Sequence, residues 1–114
     1  MKNELINILE QFNYPVFLQG SLNENEMYPH SFFTFWNFES PDDNFYDNDN
    51  HKAIYGYWVY FYSEDVVLVD TILLDVKKLL KNMGWVVDGN GIDVASDTPS
   101  HTGRMYKVYK IVYL

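Results

Sequence analysis

The chain has 114 residues, 47% of them apolar and 18% aromatic, with a formal net charge of −8 and no cysteine. That length fits one domain spanning 1–114, able to bury roughly 65% of its unfolded surface, and the apolar content excludes a disordered chain. The missing cysteines exclude a disulfide framework, a thiolate zinc site and a cysteine nucleophile, and the acidic balance argues against a duplex-binding or anionic-membrane surface, since only Lys77, Lys78 and Lys81 cluster.

In chain order, Leu5, Ile8, Leu9 and Phe12 recur at helical spacing and predict a helix over 3–13, with Asn3 as its N-cap and Asn13 and Pro15 ending it. Val16 to Leu18 read as a short strand closed by Gly20, and 21–30 as a polar loop. Ser31 to Phe38, almost all aromatic, and Ala53 to Tyr62 are the two strong strands. Between them, 39–50 reads as an exposed acidic loop.

A helix over 64–82 follows. Ser63 is its expected cap and Glu64 and Asp65 sit at the positive end of its dipole. Val66, Val69, Leu73, Val76, Leu80 and Met83 form its apolar stripe, and Gly84 is its stop. Trp85 to Val87 then predict a strand, Gly89 to Gly91 a turn, 93–103 a loop, and Arg104 to Leu114 the last strand. The expected fold is α+β: a mostly antiparallel four- to five-stranded sheet with two helices packed on one face.

The strong strands are apolar on both faces. Phe32, Trp36 and Phe38 alternate with Phe33 and Phe35, and Tyr55, Tyr57, Val59 and Phe61 alternate with Ile54, Trp58, Tyr60 and Tyr62. Two helices cover one face of such a sheet. The other is expected to meet another protein subunit, because large aromatic patches mark contact sites. The competing reading is that loops fold over it.

No catalytic or metal-binding pattern rises above background, so no cofactor and no enzyme activity are expected. The acidic run from Asp42 to His51 lacks the glycine and closing glutamate of an EF-hand loop, whether the loop starts at Asp43 or at Asp47. His30, His51 and His101 show no helical metal-ligand spacing. Ser100, His101 and Asp97 supply the residue types of a catalytic triad, but neighbours in one loop rarely give its geometry.

Several segments together resemble a family of small proteins from the tail-morphogenesis regions of Gram-positive phages and prophages, the tail terminator or tail completion proteins of long-tailed phages. Tyr28-Pro29-His30-Ser31-Phe32-Phe33-Thr34-Phe35-Trp36-Asn37 looks like the first strand, Asp43-Asn44-Phe45-Tyr46-Asp47-Asn48 like the loop, and Phe61-Tyr62-Ser63 through Leu79-Leu80-Lys81 like the strand-to-helix unit. The most distinctive stretch is Gly91-Ile92-Asp93-Val94-Ala95-Ser96-Asp97-Thr98-Pro99-Ser100-His101-Thr102-Gly103-Arg104. The likeness runs from about Pro15 to the end.

The resemblance implies a structural virion protein with no enzymatic activity and no cofactor, found in the virion tail and, during assembly, in the host cytoplasm. Its partners would be other copies of itself in a hexameric ring, the tail tube protein it caps, and the head–tail connector that docks on it. DNA would pass through the ring without specific binding. Asp42, Asp43, Asp47 and Asp49 are then candidates for the lumen or an axial contact, with plain solubility as the alternative, and Arg104 for a contact with a neighbouring subunit. The competing functions are another neck component, such as a head-closure or adaptor subunit, and an acidic DNA mimic.

Overall fold

The computed structural model describes residues 2–18, 29–39, 52–95 and 101–113. Its elements run α1 (Lys2–Glu10), β1 (Val16–Leu18), β2 (Ser31–Glu39), β3 (Lys52–Ser63), α2 (Val66–Asn82), β4 (Trp85–Ala95) and β5 (Thr102–Tyr113). The strands form one sheet in the order β1-β2-β3-β5-β4. Only the β1–β2 pair is parallel. This is the expected α+β architecture, with both helices on one face.

That face is the core. Phe33 and Phe35 of β2, Tyr57, Val59 and Phe61 of β3, Tyr106 and Val108 of β5, and Trp85 and Val87 of β4 meet the helices. From α1 come Leu5, Ile8 and Leu9, and from α2 Val69, Leu73, Val76 and Leu80, at the spacing that lines one side of a helix. Burying each large aliphatic side chain contributes roughly 1.5–3 kcal/mol. Lys110 latches the end of this layer: its Nζ donates to the Met83 carbonyl at 3.0 Å and lies 3.3 Å from the Glu4 carboxylate, over the Trp85 ring. A lysine there also complements the negative end of the α2 dipole.

Four local expectations need correction. Helix α1 stops at Glu10 and Asn3 lies inside it. The next three amides, of Gln11, Phe12 and Asn13, bond back to Ile8, Leu9 and Glu10, tightening the chain into turns until Asn13 takes the left-handed conformation at φ 64°. The cap of α2 is Asp65 rather than Ser63: Asp65 is extended, and its carboxylate accepts from the amides of Val67 and Leu68. Ser63 is instead the last residue of β3, where its hydroxyl bonds Ser31 and accepts from the Asp65 amide.

The stretch read as strand, turn and loop is one strand, β4, and Gly89 to Gly91 form a bulge inside it. Asp88 pairs with Lys107 and Ile92 with Met105, so three residues of β4, Gly89 to Gly91, stand opposite the single residue Tyr106 of β5. Gly89 and Gly91 both have positive φ, which that detour requires. Finally, β5 begins at Thr102, two residues early. Gly20 and the loops expected at 21–28 and 40–50 lie outside the described residues.

Candidate functional site

The second face of the sheet carries an aromatic layer. It begins at Phe17 and Phe32, whose rings pack edge to face at 6.0 Å. Phe32 stacks on Tyr62 at 5.3 Å, and Tyr62 lies parallel to Tyr60 at 6.1 Å. Tyr62 can lie flat because its cross-strand partner is Gly103: a Cβ there would fall 2.6 Å from the Tyr62 ring.

At the other end, Trp36 and Trp58 stand opposite each other. The bulge between Asn37 and Glu39 lets Phe38 reach across β3 at Gly56 to touch both Trp58 and Tyr109, at 5.8 and 5.7 Å. Lys107 places its ammonium 5.0 Å over the Phe38 ring, a cation–π contact. Trp36 is 51% exposed and Ile92 61% exposed, so this aromatic layer stays open to contact along one end and one edge. Trp58 Nε1 is buried and has no hydrogen-bond partner among the described residues. Lys107 is the part of this cluster that sequence reasoning missed. Its alternation with Met105 and Tyr109 was the available signal.

Burial pushes the Tyr57, Tyr60 and Tyr106 hydroxyls above their ordinary value of 10.0. At Tyr57 the neighbouring Tyr55 adds to this and a hydrogen bond with Asn37 opposes it, while at Tyr106 Arg104 opposes it. The fold therefore prefers the protonated hydroxyls. Their contribution is complete below the unfolded tyrosine value near 10 and is lost as pH rises through the higher folded values. The urea midpoint should stay level up to about pH 10 and then fall, and Tyr106→Phe should make the fall shallower. An equally steep fall in that variant would contradict the assignment.

Of the residues singled out from sequence, Arg104 has a clear place. Its guanidinium bridges Asp70 of α2 at 3.1 Å and Asp93 of β4 at 3.4 Å, tying helix to hairpin within the chain. Gly91 makes room for it, since a Cβ there would come within 2.9 Å of Arg104 Nε and of the Tyr106 ring. Asp42, Asp43, Asp47 and Asp49 lie outside the described residues, as do His51, Asp97 and Ser100. His101 is buried, packs on the Phe32 ring, and its Nε2 donates to the Pro29 carbonyl at 2.8 Å.

One carboxylate–histidine–serine arrangement does exist. His30 Nδ1 lies 2.8 Å from Ser31 Oγ and His30 Nε2 lies 3.8 Å from Glu64. Ser31 is only 3% exposed and bonds Ser63 at 2.8 Å, so its hydroxyl closes the β2–β3 end and offers no open line of attack to a substrate. Among the described residues no group of three or more histidine and acidic side chains is placed to hold a metal. No described helix is long and apolar enough to cross a membrane. No family model matches the sequence, and a search of curated proteins gives no match.

Proposed function

We propose that this chain is a structural subunit of a long-tailed phage that caps the tail tube, stops its polymerisation and forms the docking surface for the head connector, acting through contacts with other subunits. The observation that carries the assembly reading is the aromatic layer of Trp36, Phe38 and Trp58 on the sheet face opposite the helices, open to solvent at Trp36. The place in a phage tail rests on the motif resemblance, above all the stretch from Gly91 to Arg104.

The fold gives that stretch a physical sense. Its described residues pair the end of β4 with the start of β5, with Gly91 admitting Arg104, Asp93 pairing with it and Gly103 admitting Tyr62. A residue so occupied within its own subunit is a weaker candidate for an inter-subunit contact, so the ring contact proposed for Arg104 passes to the aromatic face. The lumen role of Asp42, Asp43, Asp47 and Asp49 stays part of the proposal: a strongly acidic lining would let DNA slide past without sticking.

The acidic side chains speak against a DNA mimic. Asp70 and Asp93 are paired with Arg104, Glu4 with Lys110, and Asp65 is spent as a helix cap, so these charges are not arrayed for a nuclease or repressor to read as phosphates. Added to polymerising tube protein from its own phage, the chain should arrest elongation, followed as a plateau in light scattering. Growth at the rate of the tube protein alone would move the reading to another neck component.

A further inference from the structure

We infer that the outer face of α2 is a self-pairing surface, against which a second copy of this chain lays its own α2 antiparallel. A helix that covers a sheet normally turns polar residues outward. This one turns out Val67, 72% exposed, and Leu74, 51% exposed, on the side away from its core residues Val69, Leu73, Val76 and Leu80. Val67, Thr71, Leu74, Lys78 and Lys81 follow one another in alternating steps of four and three, the spacing of a coiled-coil seam. All five are exposed.

The occupant follows from how charge runs along this seam. Helix α2 extends from Val66 to Asn82, and Leu74 is its middle residue. Lys77, Lys78 and Lys81 all lie in the second half, while Asp70 flanks the seam in the first. A two-fold axis through Leu74 therefore matches the helix with itself. It sets Leu74 on its own counterpart, Asp70 beside Lys78 of the partner subunit, and Val67 under Lys81 of the partner subunit. The Asp70 side chain stays 67% exposed beside Arg104, so it has room for a second cation. The aliphatic stem of a lysine can cover a valine while its ammonium stays in water.

A parallel pair would instead stack Lys78 and Lys81 on themselves, so the charges select the antiparallel arrangement. Asp75 also flanks the seam, near the axis, and Lys78 at i+3 offsets it. A chain of net charge −8 repels its own copies, and α2 relieves this locally with three lysines against two aspartates. A helix of this length is about 25 Å long and about 10 Å across, so the interface is small and the pair weak, with a Kd of roughly 10–300 µM. Such a pair is isologous and differs from the heterologous contact that closes a ring. It stands on α2 alone and not on the tail reading.

Sedimentation equilibrium on the full chain between about 0.05 and 1 mM tests it. The mass should rise toward twice that of the chain. Leu74→Glu sets two carboxylates on the axis and should raise the Kd at least about 30-fold with unchanged far-UV circular dichroism. Ile92→Glu, on the opposite face of the sheet and 61% exposed, should leave the Kd unchanged. The chain has no cysteine, so introduced ones read the register. Val67→Cys and Lys81→Cys should link to each other on mild oxidation of the mixture, and scarcely to themselves. A wild type that stays monomeric, a mass that passes twice the chain, a dimer that survives Leu74→Glu or is lost in Ile92→Glu, or Val67→Cys linking to itself as fast as to Lys81→Cys overturns the pairing. A monomer that still arrests tube growth would overturn it while leaving the tail reading in place.

Discussion

Phe33→Ala should lower the unfolding free energy by about 3–5 kcal/mol, an effect at the upper end for a single substitution. Phe33 is fully buried between the sheet and the end of α1. Its ring lies 4.8 Å from Phe61 across the β2–β3 ladder, 6.2 Å from Phe12 and 6.3 Å from Tyr14. Its backbone also anchors β1, through the Phe33 amide donating to the Pro15 carbonyl at 2.8 Å and the pairing with Val16. Truncation removes the transfer energy of the ring and leaves a cavity between α1, β1 and β3 that regular strand pairing keeps from collapsing. Domains of this kind are stable by only about 5–15 kcal/mol, so the variant should be partly unfolded at ambient temperature or nearly so. Urea unfolding followed by tryptophan fluorescence reads it. A loss below about 1 kcal/mol would mean the site repacks and the core assignment is wrong.

Gly103→Ala should cost about 1–3 kcal/mol, a large effect for one added methyl. The new Cβ would sit 2.6 Å from two atoms of the Tyr62 ring and 2.9 Å from Val94. Tyr62 cannot yield easily, because Phe32 stacks on it and Tyr60 lies parallel beside it. The strain would therefore pass along the aromatic layer toward Phe32 and His101. Near-ultraviolet circular dichroism, which reports aromatic packing, should change along with the thermal midpoint. The double variant Gly103→Ala, Tyr62→Ala should be less destabilised than the two single losses added together, because each removes the other's clash partner. Strict additivity would show that Tyr62 does not rest on Gly103.

The regular parts of the fold could be read from the residues. The apolar stripe from Val69 to Leu80 marked α2, the two-sided aromatic alternation marked β2 and β3, and Gly84 marked the helix end with the positive φ expected of it. Where reading failed, the cause was a choice between equal local signals or a contact far away in sequence. Ser63 and Asp65 are both good caps, and the choice is made by the pairing of Ser63 with Ser31, 32 residues away. Two glycines two apart serve a hairpin turn or a bulge equally well, and only the ladder to β5 separates them. Arg104 reads as an unspent cation because Asp70 lies 34 residues away. As for the candidate site, the aromatic character of the second face was legible in the strand alternation. The reach of Phe38 across Gly56 to Tyr109, and the placing of Lys107 over it, depend on strand order and could not be seen.

Capping of a growing tube is the central act proposed for this chain. Negative-stain electron microscopy of the purified chain mixed with its own phage's polymerising tube protein tests that most directly. Short tubes are expected, each ending in a ring-shaped density whose symmetry gives the number of subunits. Long tubes with bare ends, indistinguishable from those grown without the chain, would contradict it.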